Sequence, residues 1–501
     1  MENSVIARLD RTAAAYPEKI IFKDSASSLT FSEFDRLTRS VGSFLCERTC
    51  PEAPVAVMSG RHCLTPAYFL GIARAGCFYA PVDGDMPADR LNKTLAVVNA
   101  PIMLVDNAHL EKARSLDFGG EIIAAEDILD TPIDENKLRE REKLINAMSP
   151  LYVIFTSGST GTPKGVITSH LSLMTYIDSV AKALGITDGD ILGNQSPLDY
   201  IAAIRDIYLP ISFGASTYII PKNEFAMPTA LFETLNREKI TALCWSVAGV
   251  ELPAKLNAFD TGKPEYLKKL CFSGSVISPK YLRVWQEALP DVLYVNQYGP
   301  TEATASCTYY VVEDKAGEDE ALPIGKPYAN YKILLLNEDD TETKRGEIGQ
   351  ICVGGPAVTL GYYGNAELTA KSFVQNPLNH GYRDIIYKTG DLGRLRDDGN
   401  LEFHGRMDRQ IKHLGHRIEL GEIEEFAESI DGVENSCALY QKERELLYLF
   451  YVGEATPKEI TLSFRAKMPA FMVPRKQIKL EELPVLPNGK TDMQTLKGYF
   501  K

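Results

Sequence analysis

Leu151-Tyr152-Val153-Ile154-Phe155 runs straight into Thr156-Ser157-Gly158-Ser159-Thr160-Gly161-Thr162-Pro163-Lys164-Gly165. The first five residues are apolar, with β-branched and aromatic side chains in succession, the pattern of a strand buried on both faces. The glycines that follow let the backbone turn sharply and bring its N–H groups close to phosphate oxygens, while hydroxyls and a lysine add donors. Lys164 is followed by Gly165 and not by Ser or Thr, so this is not the Walker form. Glycine and serine content alone would fit a flexible polar loop. The position behind a buried strand, with hydroxyls and one lysine, favours phosphate binding.

Outward from this point the chain alternates. On its N-terminal side, Thr30 to Glu33 has the capping-box form, and Phe31, Phe34, Leu37, Val41 and Leu45 follow at helical spacing. Short apolar runs at Ala53–Met58 and Ile102–Val105 flank a helical stretch from Leu64 to Ala75, a rhythm that predicts a parallel sheet with helices on its faces. Asp130 to Lys143 is dense in charge and reads as a solvated connector or surface helix. On the C-terminal side the alternation continues to about residue 310, and Gly346 to Asp398 reads as a smaller β-rich subdomain. After Arg406-Met407-Asp408 the pattern restarts, with a helix at Glu419–Ile430, a strand at Leu447–Val452 and a helix near Ile460–Lys467. The expected fold is α/β. Residues 1–407 form a large N-terminal domain of parallel and mixed sheets flanked by helices, with the β-rich subdomain attached, and 408–501 form a small mobile C-terminal α/β domain.

Length and charge set bounds. A chain of 501 residues exceeds what one hydrophobic core usually supports. Lys and Arg number 54 against 67 Asp and Glu, a net charge of −13, which excludes a nucleic-acid-coating role but allows one basic phosphate pocket. Nine scattered cysteines without metal-ligand spacing predict reduced thiols. No basic leader and no apolar run of the roughly 18 residues that a membrane span needs is visible, so the expected location is the cytoplasm, with no membrane partner.

Four more segments accompany the loop in order: Asn296-Gln297-Tyr298-Gly299-Pro300-Thr301-Glu302, Tyr387-Lys388-Thr389-Gly390-Asp391, Gly405 to Lys412 with Gly415 and Arg417-Ile418-Glu419 behind it, and Pro487-Asn488-Gly489-Lys490. Together they resemble the adenylate-forming enzymes: acyl-CoA synthetases, luciferases and the adenylation domains of nonribosomal peptide synthetases. The form of the segment from Gly405 to Glu424 is closer to the amino-acid-activating branch, and the length also resembles D-alanine–carrier protein ligases. The resemblance covers essentially the whole chain.

It implies ATP-dependent activation of an amino acid or related carboxylic acid as an acyl-adenylate, with pyrophosphate released. Transfer to the phosphopantetheine thiol of a separate carrier protein would follow. By the same resemblance, Lys490 bridges the substrate carboxylate and the α-phosphate in the first half-reaction, and Lys412 replaces it in the second. Thr156, Ser157, Gly158, Ser159, Thr160, Gly161, Lys164 and Thr301 would contact phosphate. Tyr298 would stack on adenine near Asn296, Gly274, Ser275 and Gly299. Asp391 would accept from both ribose hydroxyls, with Arg406 beside it, and Glu302 would hold Mg²⁺ against the phosphates. Asp408 matches the hinge, and Gly415 would face the incoming pantetheine. Arg409, Lys412 and Arg417 would either receive an acidic carrier protein or form a solvated basic face. The alternatives are a ligase that uses free CoA, and a nucleotide-binding module without catalysis.

The acyl pocket matches Ile201, Ala202, Arg205, Cys244, Ser273, Gln297, Ala305 and Ser306. α-Amino-acid activators carry an aspartate where this chain has Ile201, and a buried ammonium without a counter-charge is costly. Three readings follow: Asp199 takes over that role, the acid lacks an α-amine, or the amine lies elsewhere on it. Arg205 meets a second carboxylate or polar tail on the substrate, or it pairs with Asp206 or another acidic side chain. Trp245 is expected to be core packing.

Overall fold

The computed structural model describes residues 2–157, 163–225, 227–313, 321–485 and 491–500. The decisive strand is Pro150–Thr156, and Leu151 to Ile154 are fully buried. It lies in a seven-stranded sheet, parallel to Phe78–Val82, which is followed by Pro54–Met58, Ile102–Val105 and Glu121–Ala124 in parallel. Lys164–Ser169 closes the other side as its antiparallel partner. A second sheet of nine strands has a parallel centre: Leu293–Tyr298, Lys269–Ser273, Ala242–Ser246, Ile191–Asn194 and Ser216–Ile219.

Between the sheets lies the largest core, filled by helices Phe31–Cys46, Thr65–Arg74, His170–Leu184 and Ile204–Phe213. Thr30 and Glu33 make both bonds of the capping box, fixing where the first of these begins. The charged stretch near residue 135 is the surface helix Glu135–Glu142. Trp245 is fully buried and donates its indole N–H to the Gly193 carbonyl at 2.8 Å, as a core residue should.

The β-rich part is an antiparallel five-stranded sheet of Lys332–Leu336, Ile348–Gly354, Phe373–Gln375, Ile385–Leu395 and Leu401–Arg406. Beyond Arg406 come a hairpin, Gln410–His413 with His416–Glu419, and a three-stranded sheet, Val433–Gln441, Leu446–Gly453 and Lys476–Lys479. Helices Leu420–Glu428 and Pro457–Lys467 pack on it around a core of its own that includes Ile418, Ile423, Leu449 and Phe464. Among the described residues no helix is long and apolar enough to cross a membrane.

Candidate active site

Three parallel strands of the nine-stranded sheet end side by side, at Ser246, Ser273 and Tyr298. Open α/β sheets bind ligands at such carboxyl ends, because helix N-termini and connecting loops meet there. Tyr298 donates its hydroxyl to Asp391 Oδ2 at 2.5 Å. Asp391 pairs across strands with Arg406, whose guanidinium bonds to Asp391 Oδ1 and grips Asp408 through Nε and Nη2 at 2.6 and 2.7 Å. The expected ribose ligand, its arginine and the expected hinge residue are thus one connected network. Asn296 donates its side-chain amide to the Pro323 carbonyl at 2.8 Å. Gly274 has φ +99° and Ser275 beside it is exposed. Gly299 allows a close backbone approach: a Cβ there would sit 2.4 Å from the Ser306 Cα. Thr304 and Ala305 adopt positive φ of 54° and 71°, a costly conformation for residues with a Cβ, at the bend that carries Ser306 to the Tyr176 hydroxyl.

Glu302 sits on the short helical turn Thr301–Ala303 and is 0% exposed. Arg417 from the C-terminal hairpin donates to both its oxygens at 3.0 Å, and the Tyr362 hydroxyl donates at 2.7 Å. Burial alone would raise the Glu302 carboxyl; Arg417 and then Tyr362 hold it below the usual carboxylate range. Burial opposes the charge of Arg417 too, and Glu302 outweighs it. In this arrangement the carboxylate is not open to a metal ion, because both oxygens face a guanidinium.

The same hairpin makes further bonds across the cleft. Its tip, Leu414-Gly415, has φ of +51° and +84°, the double left-handed geometry of a tight hairpin turn. The Tyr200 hydroxyl donates to the Gly415 carbonyl at 2.8 Å. Ser157 donates to the Arg417 carbonyl at 2.5 Å, and Lys164 lies 3.5 Å from Glu419. Lys412, on the strand Gln410–His413 of the same hairpin, is exposed. His416 stacks on Phe471 at 3.8 Å, and burial pushes it down to about 4. Thr156 Oγ1 is buried without a partner, so it can take a bond from a ligand. Lys490, Gly158, Ser159, Thr160 and Gly161 lie outside the described residues.

Beside the hairpin lies a cavity of about 110 Å³ whose lining includes Asp83, Thr156, Ser157, Asp199, Tyr200 and Arg417. Burial, reinforced by Asp83, pushes the Asp199 carboxyl up to about 7, and Arg61 opposes this. Ile201 and Ala202 occupy a buried helical turn, Ile201–Ala203, and Ile201 packs into the large core. Arg205 reaches Gln297 Oε1 at 2.7 Å and Ser273 Oγ at 3.4 Å; its chain neighbour Asp206 accepts from Asn194 at 2.8 Å instead. Cys244 contributes its carbonyl, 3.5 Å from Arg205 Nη2.

Arg409 and Arg417 are engaged within the protein: Arg409 binds Glu424 at 2.9 and 2.8 Å and the Ala438 carbonyl, and Arg417 binds Glu302. Neither belongs to a solvated basic face. Tyr200, Tyr362 and Arg417 are the site residues that sequence reading left without a role there. A lone tyrosine carries no local signal, and Arg417 is recognisable only once the hairpin is folded against Glu302.

Residues 9–363 match the family model described as AMP-binding enzyme. The chain belongs to that family. This adenylate-forming chain is 28% identical over 504 residues to tyrocidine synthase 1 of Brevibacillus parabrevis, covering 98% of itself and 45% of that protein. It therefore spans less than half the length of that relative. Its fold is similar to the amide bond synthetase McbA of Marinactinospora thermotolerans (TM-score 0.86, 18% identity, 99% of each chain). It is also similar to NpsA-ThdA, an artificially fused adenylation-PCP di-domain of Klebsiella oxytoca (TM-score 0.82, 20% identity, 95% of this chain and 93% of that one). The protein is an AMP-forming ligase of the AMP-binding enzyme family.

Proposed function

We propose that this ligase uses ATP to convert a carboxylic or amino acid into its acyl-adenylate and then loads it onto the phosphopantetheine thiol of a separate carrier protein. In the first half-reaction a carboxylate oxygen attacks the α-phosphorus and the bond to pyrophosphate breaks. In the second the thiol sulfur attacks the acyl carbon and AMP leaves, the thiol proton passing to solvent or base. The observation that carries the reading is the hairpin in the cleft: Gly415 beside Tyr200 and Arg417 on Glu302. We assign this arrangement to the thiol-transfer half. Asp391 and Arg406 would hold the ribose, Thr156, Ser157 and Thr301 the phosphate, and the cavity beside Gly415 would admit the pantetheine.

For the first half the small domain would turn about Asp408 and bring Lys490 to the cleft in place of Lys412. Mg²⁺, which would neutralise phosphate charge, fits Glu302 only after Arg417 has withdrawn. Free thiols at all nine cysteines support a cytoplasmic setting. The test is pyrophosphate exchange over a panel of acids, followed by transfer to a phosphopantetheinylated carrier protein or to free CoA. Exchange with no acid sinks the adenylation reading, and acylation of free CoA as fast as carrier protein favours the CoA-ligase reading.

A further inference from the structure

Arg205 is a buried cation with no carboxylate partner. It is 1% exposed, at the start of helix Ile204–Phe213, and among the described residues no acidic side chain forms an ion pair with it. Its acceptors are neutral: Gln297 Oε1, the Ser273 hydroxyl and the carbonyls of Ala202 and Cys244. Asp206 is next in sequence but gives its carboxylate to Asn194. Burial pushes that carboxyl up to about 7. An unpaired guanidinium in a protein interior is costly, and folds rarely keep one without a use.

The surroundings add donors, not acceptors. Because Gln297 turns its oxygen to Arg205, its Nε2 is left buried without a partner. The Tyr328 hydroxyl, within electrostatic reach of Arg205, is also buried, and its neighbour Ser306 gives its own hydroxyl proton to Tyr176. Cys244, Ser273 and Gln297 stand on adjacent parallel strands near their carboxyl ends, where the acyl group has to lie. Ile201, at the position where the resemblance puts a counter-charge for an α-ammonium, is apolar and packs into the large core. The groups near Arg205 that could turn anionic are Asp206, Tyr176, Cys244 and Cys271, whose thiol lies 4.0 Å from Nη1. Burial pushes Tyr176 up to about 12 and Asp206 up to about 7, the bond to Cys271 and then burial raise the Cys244 thiol, and Cys271, with its thiol in reach of the guanidinium, is the competitor to test.

We propose that Arg205, with Gln297 Nε2 and the Tyr328 hydroxyl, receives the second carboxylate of a dicarboxylic acid that lacks an α-amine. The proposal names the substrate class for the adenylation reading above and rests on it. The test compares succinic, glutaric, adipic and phthalic acids with their mono-methyl esters, each of which keeps one carboxylate to activate. At least one free diacid should exceed its mono-ester by roughly 10² in kcat/KM for pyrophosphate exchange, since a site built for a charged group rejects the analogue lacking it. Arg205→Leu should abolish that preference. Gln297→Glu, which supplies the missing counter-charge internally, should abolish it as well while raising Tm, so that a poorly folding leucine variant does not decide the outcome. Cys271→Ser should leave the preference intact; its loss would mean that the Cys271 thiolate already neutralises Arg205.

Binding is read separately, as the Tm shift produced by the acids alone. A diacid that raises Tm in the wild type but not in Arg205→Leu, with no pyrophosphate exchange, would support the anion site and overturn the adenylation reading. Exchange with mono-esters or neutral acids in preference to every diacid would overturn the anion site and leave adenylation intact.

Discussion

Replacing Arg417 by methionine keeps the aliphatic stem of the side chain but removes its charge, and Glu302 then faces the cleft with only the Tyr362 hydroxyl. The Glu302 side chain is 0% exposed and that of Arg417 16%, so water screens the pair little. Removing one partner of such a pair costs about 3–5 kcal/mol, because the other is left buried and charged. On the proposed two-pose reaction the C-terminal hairpin leaves the cleft and admits water, so we take the lower end. About 3 kcal/mol corresponds to roughly a 10²-fold loss in the docked arrangement. If docking serves thiol transfer, single-turnover acyl transfer should fall by about that factor, while pyrophosphate exchange stays within about threefold. Both are measured on one preparation, with small-angle scattering to follow separation of the two domains. Equal losses in the two half-reactions would refute the reasoning, and so would undiminished transfer.

Asp391→Asn keeps the shape of the side chain but removes its charge; loss of charge-assisted bonds to a ribose should weaken AMP binding by about 10–100-fold in calorimetry. Gly415→Val places a β-branched residue at φ +84°, which costs about 1–3 kcal/mol and distorts the turn that meets Tyr200. Thiol transfer should slow while pyrophosphate exchange holds, and equal slowing would argue against a role at the thiol entrance. Asp206→Asn tests pH dependence. Burial raises the Asp206 carboxyl to about 7, against about 4 in the unfolded chain, so the folded state holds the extra proton between those values and wild-type stability falls as pH rises through that window. The asparagine variant has no proton to lose and should gain on wild type by ~2–4 kcal/mol from pH 4 to pH 8. A Tm difference that stays constant over that range would contradict it.

The buried strand Leu151–Phe155 and the capping box at Thr30 were legible because each is local: period, burial and one side-chain bond decide them. The restart after Arg406 was legible for the same reason, since the helices and strands of the terminal piece carry their own apolar faces. The pairing of Arg417 with Glu302 was not, because the partners are 115 positions apart and only the folded hairpin brings them together. Nor could Arg205 be resolved between a substrate role and a bond to Asp206. Which way Asp206 points is not local information: Asn194 at the end of a neighbouring strand donates to it, and no direct bond to Arg205 forms.

The two cationic features of this cleft differ in one physical respect. Arg417 has its counter-charge inside the protein, 115 positions away in the chain, and on the proposed two-pose reaction its pairing stores a conformational choice: whatever else binds Glu302 must displace the hairpin, and docking must weaken that ligand by the same factor. Among the described residues Arg205 has no ion-pair partner, and its helix is packed into the large core. A mobile paired charge suits switching between poses, and a fixed unpaired one suits recognition. The proposed reaction uses both, because it would accept one acid and then admit a thiol in the space that pyrophosphate has left.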